Sequence, residues 1–173
     1  MKIIEQEEVR KLLQPKDCIQ LMAEALKGLE SGEYAQPARL ITVMPNTAKF
    51  GFMPAYVGDY FGAKVISAFA PNMGTKYPSH IGYVMLFESA HSTVAGMIEA
   101  GSITEIRTGA VSAAATDLLA SKDSHKLALI GAGAQALSHL AALREIRELT
   151  SLTVYDLFPK AAESTDERRV GKE

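Results

Sequence analysis

The sequence predicts an α/β chain in two parts. An N-terminal α+β domain covers residues 1–122, and an incomplete parallel β-α-β unit covers 123–173. Three observations carry this. First, an amphipathic helix is followed by several strand-like runs with no helix between them, the pattern of mainly antiparallel pairing. Second, a long alanine-rich helical stretch ends at the polar linker "SKDSH" (121–125), composed as domain boundaries are. Third, the order strand, glycine turn, helix, strand after that linker is the crossover that parallel strands require.

The elements follow in order. A helical turn or two around Val9, Leu12 and Leu13 ends near Pro15. Residues 17–30 place Ile19, Met22, Ala23, Leu26 and Leu29 on one helical face, with Asp17 as N-cap and Gly32 just past the end. Strand-like runs occupy 39–44 ("RLITVM"), 50–56 ("FGFMPAY") and 63–70 ("AKVISAFA"). The runs 81–88 and 93–99 flank "SAHS" as a hairpin. "SITE" (102–105) has the spacing of a capping box, with Ser102 as cap and Glu105 reaching back. The helix it opens runs to about residue 120, and Gly109, Ala110 and Ala113–Ala115 give it a slim face for close packing. Beyond the linker, 127–130 is a buried-type strand. The helix from 134 sets Ala136, Leu140, Leu143 and Ile146 on one side, and 151–156 is a second strand.

Composition narrows the function classes. The chain has 173 residues, 47% hydrophobic and 22% charged, with a formal net charge of −2. Nothing in that balance supplies the basic surface that nucleic acid requires. Cys18, the one cysteine, has no partner for an intrachain disulfide, and no CxxC or His-rich cluster suggests a metal. The charged start "MKIIEQEEVRKLL" lacks a signal-peptide core, and no apolar run reaches the ~20 residues of a membrane span. A cytoplasmic protein is expected. His80, His91, His125 and His139 sit in turn, linker or helix contexts with no visible acid–base partner, so structural or solvated roles are expected for them.

The chemistry concentrates in "LALIGAGAQALSHL" (127–140). Gly131, Gly133 and Ala136 fit G-x-G-x-x-G/A: a tight turn, a close backbone approach to a pyrophosphate, and a small residue that lets helix and strand pack closely. An anion would lie at the N-terminus of the following helix. Asp156 ends the next strand, placed to accept hydrogen bonds from a ribose 2′-hydroxyl, and an acid there repels a 2′-phosphate. The unit therefore reads as the start of a Rossmann-type site for NAD in preference to NADP.

With the upstream segments included, the chain resembles the ornithine cyclodeaminase/mu-crystallin family. The likeness is carried by "PARL" (37–40), "FMPAY" (52–56), "GAKVISAFAPN" (62–72), "PSHIGYVMLFE" (78–88), "SITEIRTGAVSAAATDLLA" (102–120) and "LALIGAGAQALSHL" (127–140). It covers about residues 1–157. The resemblance implies a first domain that holds the substrate and forms a homodimer, and a Rossmann domain that binds NAD(P). The reaction it implies is hydride transfer between cofactor and the α-carbon of an amino or imino acid. Ornithine conversion to proline with loss of ammonia and reduction of cyclic ketimines are examples.

The resemblance also assigns residues. Arg39 matches a family arginine that grips the substrate carboxylate, a task suited to a planar guanidinium fork. Lys64 matches a family lysine at the substrate, to hold the carboxylate or polarise the C=N as hydride arrives. Its neighbours Val65 and Ile66 predict a partly buried stem. Arg107 matches a cofactor-contacting arginine, and a cation in the first turns of a capped helix opposes the dipole unless an anion is near. Ser79, Ala134 and Gln135 fall where relatives touch the cofactor. No metal is implied.

Family members are about twice this length. The resemblance places the rest of the Rossmann sheet and an acid–base aspartate beyond these residues. The stretch after Asp156, "LFPKAAESTDERRVGKE", is too polar to supply a third strand. Leu127, Leu129, Ile130, Leu152 and Val154 are then expected to keep a face or edge exposed. The alternative expectation is a catalytically inactive chain acting as a dimerising or small-molecule-binding module.

Overall fold

The computed structural model describes residues 1–162. The chain divides into two compact units. The first comprises Met1–Leu13 and Glu24–Thr104; the second comprises Gln14–Ala23 and the described part of Glu105–Glu173. The division falls inside two helices, between residues 23 and 24 and between residues 104 and 105, and the polar linker 121–125 lies within the second unit.

The first unit is built on a six-stranded sheet in the order β1-β6-β5-β4-β3-β2. Its strands are β1 (Lys2–Ile4), β2 (Leu40–Val43), β3 (Lys49–Val57), β4 (Tyr60–Ala68), β5 (His80–Glu88) and β6 (Val94–Glu99). Pairing from β2 to β6 is antiparallel, as the uninterrupted strand runs predict. The β1–β6 pair is parallel, and β1 was not foreseen. Three residues are too short for a period-2 pattern to register. Helix α1 (Gln6–Leu12) follows β1 and buries Val9.

Alternation gives the sheet two distinct faces. On one, a Cβ added at Gly51 would strike Ile66 and Ile41, so these three share a side. Lys64 lies two residues from Ile66 on that side, between Met53 of β3 and Val84 of β5. The opposite face carries Ile3, Leu40, Phe50, Phe52, Tyr56 and Ile81, each between 41% and 63% exposed. Phe61 and Phe87 stack on that same face, with centroids 5.3 Å apart.

Helix α2 (Pro15–Ser31) begins two residues before the expected Asp17 cap. Proline suits a first helical position because its fixed φ is already helical and its missing N–H would have no partner there. Its inward side is also rotated from the expected face: Cys18 is fully buried, whereas Leu26 and Leu29 are exposed. Helix α3 (Ala100–Leu119) likewise starts earlier than the capping box implied. β6 runs directly into it, and the Glu99 carboxylate accepts the Gly101 N–H and, at 2.8 Å, the Ser102 N–H. Ser102 is thus inside the helix, with its hydroxyl fully buried and without a hydrogen-bond partner.

In the second unit, β7 (Lys126–Ile130), α4 (Ala134–Ile146) and β8 (Ser151–Tyr155) form the expected parallel β-α-β. Ala136, Leu140 and Leu143 of α4 are buried as its periodicity predicts. The core joins Ala113, Ala142 and Leu143, with Ile19, Leu127 and Ile146 packed against them. The slim face of α3 has its expected use: a Cβ at Gly109 would overlap the Ser138 carbonyl of α4. Leu127, Leu129, Leu152 and Val154 are half-buried, while Ile130 is 89% exposed. Expectations for the tail after residue 162 lie outside the described residues.

Candidate functional site

The glycine turn is the chemically distinctive part of the second unit. After Ile130 the backbone enters the left-handed region at Gly131, φ +96°, with no atom within 4 Å of a would-be Cβ. Glycine is required there by backbone conformation, not by crowding. The Gly131 N–H donates to the Tyr155 carbonyl at 2.7 Å, tying the turn to the end of β8. Gly133 caps α4 in extended conformation with no side chain on the cap, and a Cβ there would also meet open space.

Asp156 closes the turn from the other strand. One carboxylate oxygen accepts the Ala132 N–H at 2.8 Å, and the other accepts the Phe158 N–H at 2.8 Å. These bonds, Phe158 first and Ala132 second, hold the carboxyl below the usual carboxylate range. The acid thus stays ionised at neutral pH, and each oxygen keeps a lone pair for another donor. Leu129, Ile130, Gly131, Gly133, Gln135, Ala136 and His139 line an open groove of about 320 Å³. His139 and Ser138 both bond the Gln135 carbonyl, a local helical role.

This arrangement fits a dinucleotide. An uncapped helix start, two glycines open to solvent and an ionised acid at the adjoining strand end are the donor and acceptor set a pyrophosphate and a ribose need. Gly131, Gly133, Gln135 and Asp156 come together here, with Ala134 as the first residue of α4. Sequence reasoning missed His139 in the groove lining; its helical spacing from Gln135 was the available signal.

In the first unit, Lys64 is half-buried on β4, as its apolar neighbours predict. Its Nζ donates to Thr104 Oγ1 at 3.3 Å, and that hydroxyl donates to the Ala100 carbonyl at 2.6 Å. Arg39 is exposed, immediately before β2. Leu40 pairs with Phe52, and Met53 pairs with Lys64. Carrying the register back one step sets Arg39 opposite Met53, two strands or about 10 Å from Lys64 and with the same facial parity. Ser79 precedes β5: its carbonyl accepts the Phe69 N–H at 2.8 Å, and its hydroxyl lies 3.1 Å from His80 Nδ1. Thr104 is a partner that the sequence hides, because "SITE" has the spacing of a cap.

Arg107 is exposed on α3, in the second unit. Since α3 starts at Ala100, Arg107 lies beyond the first turn, where the dipole argument for a nearby anion has faded. Burial pushes the Cys18 thiol above its usual value, and the Arg107 charge partly offsets this. Among the described residues no group of three or more His, Cys, Asp or Glu is arranged to hold a metal ion. No helix among them is long and apolar enough to cross a membrane.

A sheet-based unit followed by a parallel β-α-β opening on a glycine turn defines an α/β protein of the Rossmann-containing class. A profile of the ornithine cyclodeaminase/mu-crystallin family matches residues 1–171, and the chain belongs to that family. It is 36% identical over 121 residues to ketimine reductase mu-crystallin of Mus musculus, covering 68% of this chain and 38% of the mouse protein. Among solved structures it resembles Δ1-pyrroline-2-carboxylate reductase of Thermococcus litoralis in complex with NADH and L-proline. That match has a TM-score of 0.89 and 32% identity, over 96% of this chain and 53% of the other. It also resembles an archaeal alanine dehydrogenase dimer with bound NAD, at a TM-score of 0.91 and 26% identity, over 96% and 52%. The chain spans about half, or less, of the length of these relatives.

Proposed function

We propose that this chain carries the cofactor turn and the carboxylate grip of an NAD-dependent enzyme that transfers hydride at the α-carbon of an amino or imino acid. The observation that carries the reading is the Gly131 turn, closed by the Asp156 bond to Ala132 N–H beneath an uncapped helix start. The bound NAD would accept or donate the hydride. Gly131, Gly133, Ala134 and Gln135 would meet its pyrophosphate, and Asp156 its ribose. By the family likeness, Arg107 and Ser79 are also cofactor-contacting residues in this reading.

Arg39 and Lys64 are the substrate residues. Two cations of one facial parity, about 10 Å apart across the sheet, suit a small carboxylate between long side chains. Lys64 would also stabilise negative charge as hydride arrives. The activities for which these relatives are named, ketimine reductase, alanine dehydrogenase and pyrroline-carboxylate reductase, support this substrate class. Cyclodeamination of ornithine and ketimine reduction both lie within it. A buried, free Cys18 is in keeping with a reducing cytoplasm.

The exposed apolar face of the six-stranded sheet supports a homodimer. Ile3, Leu40, Phe50, Phe52, Tyr56 and Ile81 form a surface of the kind that marks an interface, and one structural relative is described as a dimer. Sedimentation should give a dimer, and Phe52→Asp a monomer; a wild-type monomer removes this part of the reading.

Cofactor fluorescence tests the centre of the proposal. NADH should bind at least about tenfold more tightly than NADPH, with Asp156→Ala erasing most of the difference. Absence of NADH binding sinks the reading. NADH binding without turnover of ornithine, alanine or a cyclic imine would instead support the non-catalytic binding module.

A further inference from the structure

The Lys64 amine meets α3 near its start, at Thr104. Thr104 has one hydroxyl proton, and it is committed to the Ala100 carbonyl at 2.6 Å. A hydroxyl so committed presents its lone pairs outward, and Lys64 Nζ donates to that oxygen at 3.3 Å. The donor–acceptor direction of the pair is therefore set: the Lys64 ammonium donates the hydrogen bond and the Thr104 hydroxyl oxygen accepts it. Ala100 is itself held at the helix start, because the neighbouring Glu99 carboxylate binds the Gly101 and Ser102 N–H groups. A threonine bonded to the carbonyl four residues back in a helix also has little χ1 freedom. The result is a fixed oxygen at the end of a flexible four-carbon lysine.

We propose that Thr104 is a positioning residue that holds the Lys64 ammonium in place for an incoming carboxylate. The proposal rests on the reading of Lys64 as a substrate residue. Lysine has three N–H donors; fixing one constrains the remaining two and removes rotamer freedom that ligand binding would otherwise have to remove. Isoleucine or valine in place of Thr104 would fill the same helical position without supplying that acceptor. The distinction between a packing role and a positioning role is thus testable with isosteric substitution.

The test uses the full chain with Thr104→Val, Thr104→Ser and, should the valine variant misfold, Thr104→Ala. Trace acetic anhydride labelling, read peptide by peptide by mass spectrometry, reports the reactivity of Lys64 relative to exposed Lys27. Thr104→Val should raise Lys64 labelling about three- to tenfold, the worth of one lost hydrogen bond, while Thr104→Ser stays near wild type. Calorimetric titration with L-proline in the presence of NADH should show a similar loss of affinity in Thr104→Val and its rescue in Thr104→Ser. Unchanged Lys64 labelling in the valine and alanine variants overturns the proposal. So does raised labelling with an unchanged L-proline affinity, since Thr104 would then hold the amine without serving the ligand. If labelling responds but wild type binds no L-proline, Thr104 does position the amine and the substrate reading of Lys64 is what fails.

Discussion

In the first unit the strands from β3 to β6 are paired on both sides within one sheet, whereas β7 and β8 of the second unit have only each other among the described residues. The nine-residue ladders of β3, β4 and β5 fix register over long stretches, and a one-residue slip would turn Lys64 to the opposite face. The second unit has two five-residue strands, and its order comes from helix packing instead. Gly109 lets α3 and α4 approach backbone to backbone, and alanines at 110 and 113 are fully buried. One unit is held by sheet pairing, the other by small residues between helices. Damage should therefore stay local to each kind of construction.

The largest test of that contrast is Gly109→Val. The added side chain collides with the Ser138 carbonyl, and overpacking of this kind costs about 1–3 kcal/mol. Hydrogen exchange should show amides of β7, β8 and α4 losing protection while those of β3–β5 keep theirs; uniform loss across both would break the contrast. Gly131→Ala comes next. Space is open around it, so only the φ of +96° is penalised, at about 1–2 kcal/mol, visible as a lower urea midpoint without a changed slope.

Helix-start variants sharpen the contrast at the α3 junction. Glu99→Ala removes the carboxylate that caps Gly101 and Ser102 and should cost about 1 kcal/mol. Ser102→Ala should be neutral or slightly stabilising, because its buried hydroxyl has no partner to lose. The reverse order in thermal melts would restore the capping box that the sequence suggested.

The smallest effect is in pH. Asp156 is held below its usual range by the Phe158 and Ala132 N–H groups. Asp117 is held low by Lys122 and by Arg147, whose side chain is only 7% exposed. A depressed folded-state value contributes stability above the unfolded value of about 4, and that contribution is lost as pH falls through the folded value. Chemical shifts of the glycine turn should begin to move only on the acid side of pH 4, and the second unit should loosen there. A turn that changes between pH 5 and 7 contradicts this.

Much of the architecture was legible because it is written in local pattern. The strands of the antiparallel region, the β-α-β order and the α4 face all follow from periodicity, and Gly131 follows from turn chemistry. Arg39, Lys64 and Arg107 came from family resemblance, and periodicity alone would have left them ordinary surface cations. The misreadings share a cause. Asp17 and Ser102 had good capping residues in good spacing, but Pro15 could start a helix sooner, and the Glu99 carboxylate reached the α3 amides first.

By itself the sequence determined the α/β class, the glycine turn and its acidic partner, since each depends on residues close in the chain or on a conformation only glycine adopts readily. The tertiary structure alone decided that Lys2–Ile4 joins β6 in parallel, that one sheet face stays apolar and exposed, and that Lys64 meets Thr104. Those outcomes join segments far apart in sequence, 40 residues in the last case, and no local period encodes which distant hydroxyl a lysine will find once the sheet and helix have packed.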